Sequence, residues 1–345
     1  MDSFAYTTAI RIGYACASGS PSSPADSIPA LLSPHPTSRH SFPVKEFFLG
    51  LAGLVSDRVT AADSWLERRQ IRGHSPGGDA QFTLDDLAEA AVRDYIADSG
   101  QSIALFSEDH GLRMFGQSPE YLLIVDPIDG TRPAVAGLEM ATISVAAARF
   151  TERPCIRDVE FALLRELRSG AYLYADRAKD GVEASGYHHG VPALSDNTDL
   201  SRMFWSIEFN GHPAQRMTRA YGHLIDRSAN TGAVFVFCSA SFSISRVITG
   251  QLDAYVDIGN RLLRDDPSLL ADFERVGKGK VLHLFPYDIA ASVLLAEKAG
   301  VVITDAYGRS LDTTVLTDVS VANQQSCIAA CTEQLHRSLL EEIVW

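Results

Sequence analysis

The chain has 345 residues, of which 46% are hydrophobic and 21% are charged. This composition is typical of a globular protein with a sizeable core. The formal net charge is -13, and no run of Lys and Arg breaks the excess of acids, so a nucleic-acid partner is not expected. No apolar run approaches the roughly 18 residues of a membrane span, so no membrane partner is expected either. Five scattered cysteines favour a reducing compartment and predict a cytoplasmic location.

The chain is predicted to have three parts. Residues 1–42 are rich in Ser and Pro and lack periodicity, which predicts a disordered N-terminal extension. A targeting peptide is the alternative, although the segment has few arginines and no clear apolar stretch. We expect an N-terminal α+β metal-binding subdomain over residues 43–195. A C-terminal α/β subdomain over residues 196–345 would complete the active site.

The first predicted helix begins at Val44, and a second covers Thr83–Gly100. Strands are predicted over 103–109, 121–125 and 140–150, followed by a hairpin over 166–184. Beyond residue 196 the predicted elements alternate, with strands at 203–209, 232–237, 252–258 and 301–305 and helices near 214–227, 239–248 and 288–300. Cys327 and Cys331 are interpreted as core thiols on one helix face.

The stretch YLLIVDPIDGT runs an apolar strand into two acids. Pro127 fixes its own φ and Gly130 permits a positive φ, so the carboxylates of Asp126 and Asp129 can converge. The Ile128 carbonyl between them can point the same way. Such hard oxygen ligands suit Mg²⁺. On this stretch alone, a solvated acidic turn remains an alternative.

Two further acids strengthen the metal interpretation. Glu108 ends the preceding strand, where it can lie beside Asp126. Asp288 stands just ahead of an apolar helix, where it can also serve simply as an N-terminal cap. Four carboxylates at strand ends and a helix start favour a metal cluster.

These motifs identify the chain as resembling the inositol monophosphatase family, in the superfamily of metal-dependent sugar phosphatases that includes fructose bisphosphatase. The resemblance runs from about Phe47 to Asp318 and is strongest in SED, VDPIDGT, TGAVFVFCSASFSISRVITGQLDAYVD and PYDIAASVLLAEKAGVVITDAYGRSLD. It implies a layered αβαβα fold, Mg²⁺-dependent hydrolysis of a small phosphorylated substrate, and a homodimer.

The resemblance also assigns roles to residues of this chain. It implies two or three Mg²⁺ ions per site, one held by Glu108, Asp126 and the Ile128 carbonyl and another by Asp126, Asp129 and Asp288. It implies that Asp85 and Thr131 are catalytic and together orient and deprotonate the attacking water. The implied substrate-binding residues are Gly130, Thr131, Ser239, Ala240 and Asp257.

Several substrate-facing positions depart from the family pattern. Arg132-Pro133-Ala134 replaces the usual Thr-Asn-Phe continuation, and Cys238 replaces a glycine. Asp257 replaces a glutamate that binds a substrate hydroxyl, with one methylene less reach. The insertion Gly259–Lys280 is interpreted as a lid, a specificity loop, a surface helix or an oligomer contact, and the sequence leaves these alternatives open.

The first functional hypothesis is therefore hydrolysis of an inositol or sugar phosphate by a metal-activated water. An alternative substrate is fructose bisphosphate or a 3′-phosphoadenosine nucleotide, which aromatic and arginine residues of the insertion facing the pocket would favour. A hypothesis of another class is a catalytically silent metal-binding sensor. The presence of both Asp85 and Thr131 argues against it.

Overall fold

The computed structural model describes residues 43–62, 68–187 and 190–345. Residues 43–345 form one compact unit, and the predicted N-terminal extension lies outside the described residues. In the part that is described, no helix combines the length and the apolar character needed to cross a membrane. The predicted subdomain boundary at residue 195 stays a prediction, although it falls between the strands of two different sheets.

The helices are α1 (Val44–Thr60), α2 (Thr83–Ser99), α3 (Thr131–Ala136), α4 (Ala214–Ser228), α5 (Ala240–Ile248), α6 (Gly259–Asp265), α7 (Leu270–Val276), α8 (Pro286–Ala299) and α9 (Glu333–Glu342). The strands are β1 (Ile71–His74), β2 (Ala80–Phe82), β3 (Ile103–Ser107), β4 (Gly111–Phe115), β5 (Tyr121–Asp129), β6 (Thr142–Arg149), β7 (Val159–Glu166), β8 (Tyr172–Asp176), β9 (Glu183–Ser185), β10 (Phe204–Ile207), β11 (Ala233–Phe235), β12 (Ala254–Asp257), β13 (Val302–Thr304) and β14 (Cys327–Ala330).

The larger sheet has seven strands in the order β4-β3-β5-β6-β7-β8-β9. Its central strands are buried on both faces because helices cover both sides. Side chains alternate between the faces. One face accordingly contributes side chains to the core shared with α5 and α8, among them Phe106, Leu122 and Ile124. Helices α1 and α2 also pack on this sheet, through other contacts. The apolar strand patterns of the sequence thus give a sheet enclosed between helices.

The smaller sheet has five strands in the order β11-β10-β12-β14-β13. Helices α5 and α8 contact both sheets, while α4 and α9 pack against strands of the smaller one. The layers are therefore helices, sheet, helices, sheet, helices, which confirms the predicted αβαβα architecture. This arrangement brings the ends of β3, β5, β10 and β12 and the start of α8 to one cleft.

Two local expectations were wrong. The strand predicted over 121–125 continues to Asp129, because the chain forms a bulge rather than a turn at Pro127. Cys327 does not share a helix face with Cys331. It begins β14, in register with Asp257 of β12, and both cysteines are free and buried as predicted. The small apolar residues of Cys327–Ala330 form a strand because they pair with β12 on one side and β13 on the other.

Candidate active site

A bulge in β5 brings two carboxylates to the same side of the sheet. Asp126 pairs with Ser144 and Asp129 with Thr142, so three steps along β5 match two along β6. In a regular strand, residues three apart face opposite sides. The extra residue of the bulge cancels this alternation, and the Ile128 amide donates to Asp126 Oδ1 at 2.9 Å to hold the bend.

Gly130 joins this strand to α3 at a point where only glycine fits. Its φ is 96°, and a Cβ would lie 2.6 Å from the Met140 carbonyl oxygen and 2.9 Å from Ser239 Cβ. A side chain here would force apart the segments that form the cleft. Gly130 lines that cleft together with Thr131, as the substrate-binding assignment requires.

Three acids converge where the bulge meets α8. Ligand oxygens of Asp126, Asp129 and Asp288 all lie within 4.8 Å of one another. Asp288 also accepts the Phe285 amide at 2.7 Å, so it caps α8 and faces the cleft at the same time. The two interpretations of Asp288 made from the sequence are compatible.

Glu108 lies at the edge of the same cluster. It follows Ser107, which pairs in parallel register with Val125, so Glu108 comes beside Asp126. Glu108 and Ile128 both line the cleft with the three aspartates. The structure thus brings together all five groups that the sequence assigned to metal binding.

The electrostatics of the cluster show why it fits cations. Burial, and then repulsion from Asp129 and Asp288, raises the pKa of Asp126 well above its usual range. Burial, and then Asp126, does the same to the pKa of Glu108. Like charges this close strongly disfavour joint ionisation in a poorly solvated site. A bound divalent cation with oxygen preference, such as Mg²⁺, would remove that penalty.

Asp85 and Thr131 lie near each other beside these acids. The Thr131 hydroxyl donates to the Ile128 carbonyl at 3.0 Å, and its proximity to Asp85 lowers the pKa of that carboxylate against the larger effect of burial. Asp85 accepts the Phe82 amide at 2.7 Å at the start of α2, which fixes its position. Burial raises the pKa of Asp85 to about 8.

The start of α5 supplies another wall of the cleft. Ser239 caps this helix, because its Oγ accepts the Phe242 amide at 3.1 Å, and it donates to the Asp129 carbonyl at 3.1 Å. Ala240 follows it in the lining. Cys238, at the position where the resemblance implies a glycine, has a φ of 55°. The backbone therefore keeps a conformation suited to glycine.

Asp257 lies at the carboxyl end of β12 and is only 1% exposed. Its Oδ1 accepts the Gly259 amide at 3.2 Å and stands 3.9 Å from Nε2 of His212. The residue lines the cleft as predicted, but little of it is open to a ligand. The shorter side chain is directed toward protein groups.

Further residues line the cleft that the motif analysis did not assign, namely Asp79, Glu208, Asn210, His212, Leu282, His283, Leu284, Phe285 and Tyr287. Glu208 had a sequence signal, since it is the one acid in the strand predicted over 203–209. The histidines had none, because no spacing connects them to a motif.

The insertion Gly259–Lys280 folds as α6 and α7 joined by a 3₁₀ turn at Pro267–Leu269. Its Leu262, Leu269 and Phe273 are buried. Among the residues described, none from 259 to 280 lines the cleft. The feature that would favour a nucleotide substrate, aromatic or arginine residues of the insertion facing the pocket, is therefore not observed.

Comparison with known proteins matches the inositol monophosphatase family model to residues 52–344. The chain belongs to the inositol monophosphatase family. This family assignment confirms the resemblance drawn from the motifs, and it supports a phosphatase hydrolase.

Curated relatives are distant. The chain is 23% identical over 311 residues to the fructose-1,6-bisphosphatase/inositol-1-monophosphatase of Methanothermobacter thermautotrophicus, covering 86% of this chain and 96% of that protein. It is 22% identical to the bifunctional NADP phosphatase/NAD kinase of Methanococcus maripaludis, covering 86% of this chain and 48% of that protein. Among solved structures, the Thermotoga maritima IMPase superposes with a TM-score of 0.60 at 18% identity, covering 87% of this chain and 96% of that one. This last likeness supports the fold alone.

Proposed function

We propose that this protein hydrolyses a small phosphate monoester, an inositol or sugar phosphate, with Mg²⁺ as cofactor and a metal-activated water as nucleophile. One observation carries the proposal: the oxygens of Asp126, Asp129 and Asp288 meet within 4.8 Å beside the Asp85–Thr131 pair. The cleft holds about 650 Å³, including space open to solvent.

The carboxylate donors would hold two or three Mg²⁺ ions. Glu108, Asp126 and the Ile128 carbonyl would hold one ion, and Asp126, Asp129 and Asp288 would hold another. When bound, Mg²⁺ supplies neutralisation of the phosphate charge and a more acidic water. Without that charge, the acidic cleft would repel a phosphate monoester.

Thr131 and Asp85 would guide the attacking water. The Thr131 hydroxyl has one proton, and it can donate either to Ile128 or to Asp85. If it donates to the ionised carboxylate of Asp85, a lone pair of Thr131 Oγ1 is free to accept a proton from water. The water proton would pass to Thr131 Oγ1 while the Thr131 proton passes to Asp85.

Phosphate release from inositol, sugar and nucleotide phosphates, with and without Mg²⁺, tests the proposal. Asp126→Asn should abolish Mg²⁺-dependent turnover. Asp98→Asn is the matched control, because Asp98 is exposed on α2. Failure of folded wild-type protein to release phosphate from any ester, despite binding Mg²⁺, would favour the silent sensor instead.

The same panel separates the alternative substrates, since it includes fructose bisphosphate and 3′-phosphoadenosine nucleotides. A homodimer and a cytoplasmic location remain expectations from family and composition. Sedimentation analysis of the purified chain would test the first of them.

A further inference from the structure

A second group of polar side chains lines the proposed catalytic cleft: Glu208, Asn210, His212, Asp257 and His283. Glu208 follows β10 and Asp257 ends β12. These strands are parallel neighbours with Ile207 opposite Val256, so the two acids lie side by side at the carboxyl ends. Neither Glu208 nor the two histidines belong to the proposed catalytic pair or to the proposed metal ligands.

Glu208 is held with one carboxylate oxygen available. Its Oε1 accepts the amides of Phe209 and Asn210, at 2.8 and 2.7 Å. Its Oε2 has no hydrogen-bond partner among the described residues, and Glu208 is 7% exposed compared with 1% for Asp257. A fixed carboxylate oxygen of this kind is a good hydrogen-bond acceptor for a substrate hydroxyl group. Glu208 is thus better placed for this task than the shortened Asp257.

The two histidines lie beside these acids as a hydrogen-bonded pair. His212 Nε2 is 3.2 Å from His283 Nδ1, and the residues are 3% and 6% exposed. His283 Nε2 is buried and lacks a partner in the described part of the chain. A buried ring nitrogen without a partner is unfavourable, so we expect it to bond to a hydroxyl group of a ligand or to a water molecule.

The insertion holds the imidazoles in place. The ring of Phe273, from α7, packs edge-on against both histidines, with centroids 5.9 Å from His212 and 5.1 Å from His283. At the start of α6, a Cβ on Gly259 would lie 2.5 Å from His212 Nε2. Arg216 of α4 donates to Asp272 of α7 at 2.9 Å and anchors the insertion.

The charge of the lining argues against a second phosphate. Among the described residues around the cleft, Arg132 is the one Lys or Arg, compared with seven Asp and Glu residues. Its guanidinium is bound by Asp79. A second phosphate near Glu208 and Asp257 would meet carboxylates and a single cation that is already paired with Asp79, whereas hydroxyl groups would find acceptors.

We propose that Glu208, His212 and His283 form a hydroxyl-binding subsite that selects monophosphates of polyols over substrates with a second phosphate. The inference rests on the proposed phosphatase function. In this proposal the insertion Gly259–Lys280 does not contact the substrate; it packs against the histidines of the subsite and fixes their position. Glu208, at the end of the neighbouring strand β10, would make the hydroxyl contact that the shorter side chain of Asp257 reaches less well.

Three kinds of ester test the subsite: inositol 1-phosphate and glucose 6-phosphate, cyclohexyl phosphate, and fructose 1,6-bisphosphate. Wild-type enzyme should show higher kcat/KM for a polyol monophosphate than for the other two. Glu208→Gln should reduce the preference of the enzyme for a polyol monophosphate over cyclohexyl phosphate by about 10-fold or more. The effect should come mainly through KM, because a hydrogen bond to a charged group is lost. Glu274→Gln, on an exposed carboxylate of α7, is the matched control and should leave the preference as it is.

His283→Gln provides a second variant if Glu208→Gln does not fold, and it should lower the same preference. The wild-type comparison needs no variant at all. Equal use of cyclohexyl phosphate, or a higher kcat/KM for fructose 1,6-bisphosphate, would overturn the subsite while leaving the phosphatase intact. No phosphate release from any of these esters with Mg²⁺ would refute the proposed function, and the subsite with it.

Discussion

The Arg132 guanidinium donates to both carboxylate oxygens of Asp79, at 2.7 and 3.3 Å. Arg132 directly follows Thr131, and Asp79 directly precedes β2, so this pair joins the small β1–β2 sheet to the proposed catalytic loop. Both residues line the cleft. Arg132, which directly follows the DPIDGT motif, therefore contributes a fixed cation to the lining of the site.

We expect Arg132→Ala to raise KM several-fold for a phosphate ester, because the cleft loses its cation. Stability should change by about 1 kcal/mol or less, since the two side chains are 35% and 29% exposed. Steady-state kinetics and thermal melting measure the two effects. Arg153→Ala, at an exposed position, is the control, and an unchanged KM in Arg132→Ala would contradict the expectation.

Loss of either member of the Asp85–Thr131 pair should act on kcat. Asp85→Asn and Thr131→Val should lower kcat by about 10²–10⁴-fold, the usual range for removal of a general base, with little change in KM. Thr131→Ser keeps the hydroxyl and should retain most of the activity. A Thr131→Val enzyme as active as Thr131→Ser would remove the hydroxyl from the mechanism.

Mg²⁺ should stabilise the folded chain. At a concentration of 100 times Kd, a single bound ligand raises the free energy of unfolding by about 2.7 kcal/mol. The melting temperature of wild-type protein should rise with Mg²⁺ and fall back with EDTA, while that of Asp126→Asn should respond much less. Melting scans of the two proteins side by side, with Asp98→Asn as control, measure this. An equal response of Asp126→Asn would show that Asp126 is not a ligand.

Cys238 allows a direct test of backbone strain. A non-glycine residue at a φ of 55° costs about 1 kcal/mol or more. Cys238→Gly and Cys238→Ala both remove the sulfur, but only glycine relieves the strain. The glycine variant should therefore be the more stable of the two by about 1 kcal/mol, as measured by urea unfolding; the reverse order would show that the conformation is unstrained.

The pKa of Glu208 predicts a pH dependence of stability. Burial raises this pKa from 4.5 to about 7. Between these values the folded protein retains a proton that the unfolded chain has released, so stability is highest below pH 4.5 and falls as pH rises through about 7. In EDTA, wild type should lose up to about 3 kcal/mol relative to Glu208→Gln across this window. Parallel pH curves for the two proteins would contradict the assigned pKa.

The family resemblance was enough to predict the layered αβαβα fold. The gathering of the acids followed from the sequence pattern, because strand ends and a helix start position Glu108, Asp126, Asp129 and Asp288. The pattern did not predict the bulge at Pro127, since a proline between two acids is equally typical of a turn. Cys327 was assigned to a helix because a four-residue spacing suggests one. Pairing with β12, a contact far along the chain, makes it a strand. His212 and His283 meet through tertiary packing alone, which no local pattern encodes.

Asp129 has a second set of partners besides the proposed metal. Its Oδ2 accepts the backbone amide and the hydroxyl of Ser241, in the first turn of α5. One carboxylate thus joins the bulge of the larger sheet to a helix that also packs on the smaller sheet. A cation bound to Asp129 would contact a residue that is tied to both layers. Ion binding and the stability of the contact between the two layers should therefore be thermodynamically linked. Loss of the ion would then be felt as loosened amide-exchange protection at the start of α5, well before the chain unfolds.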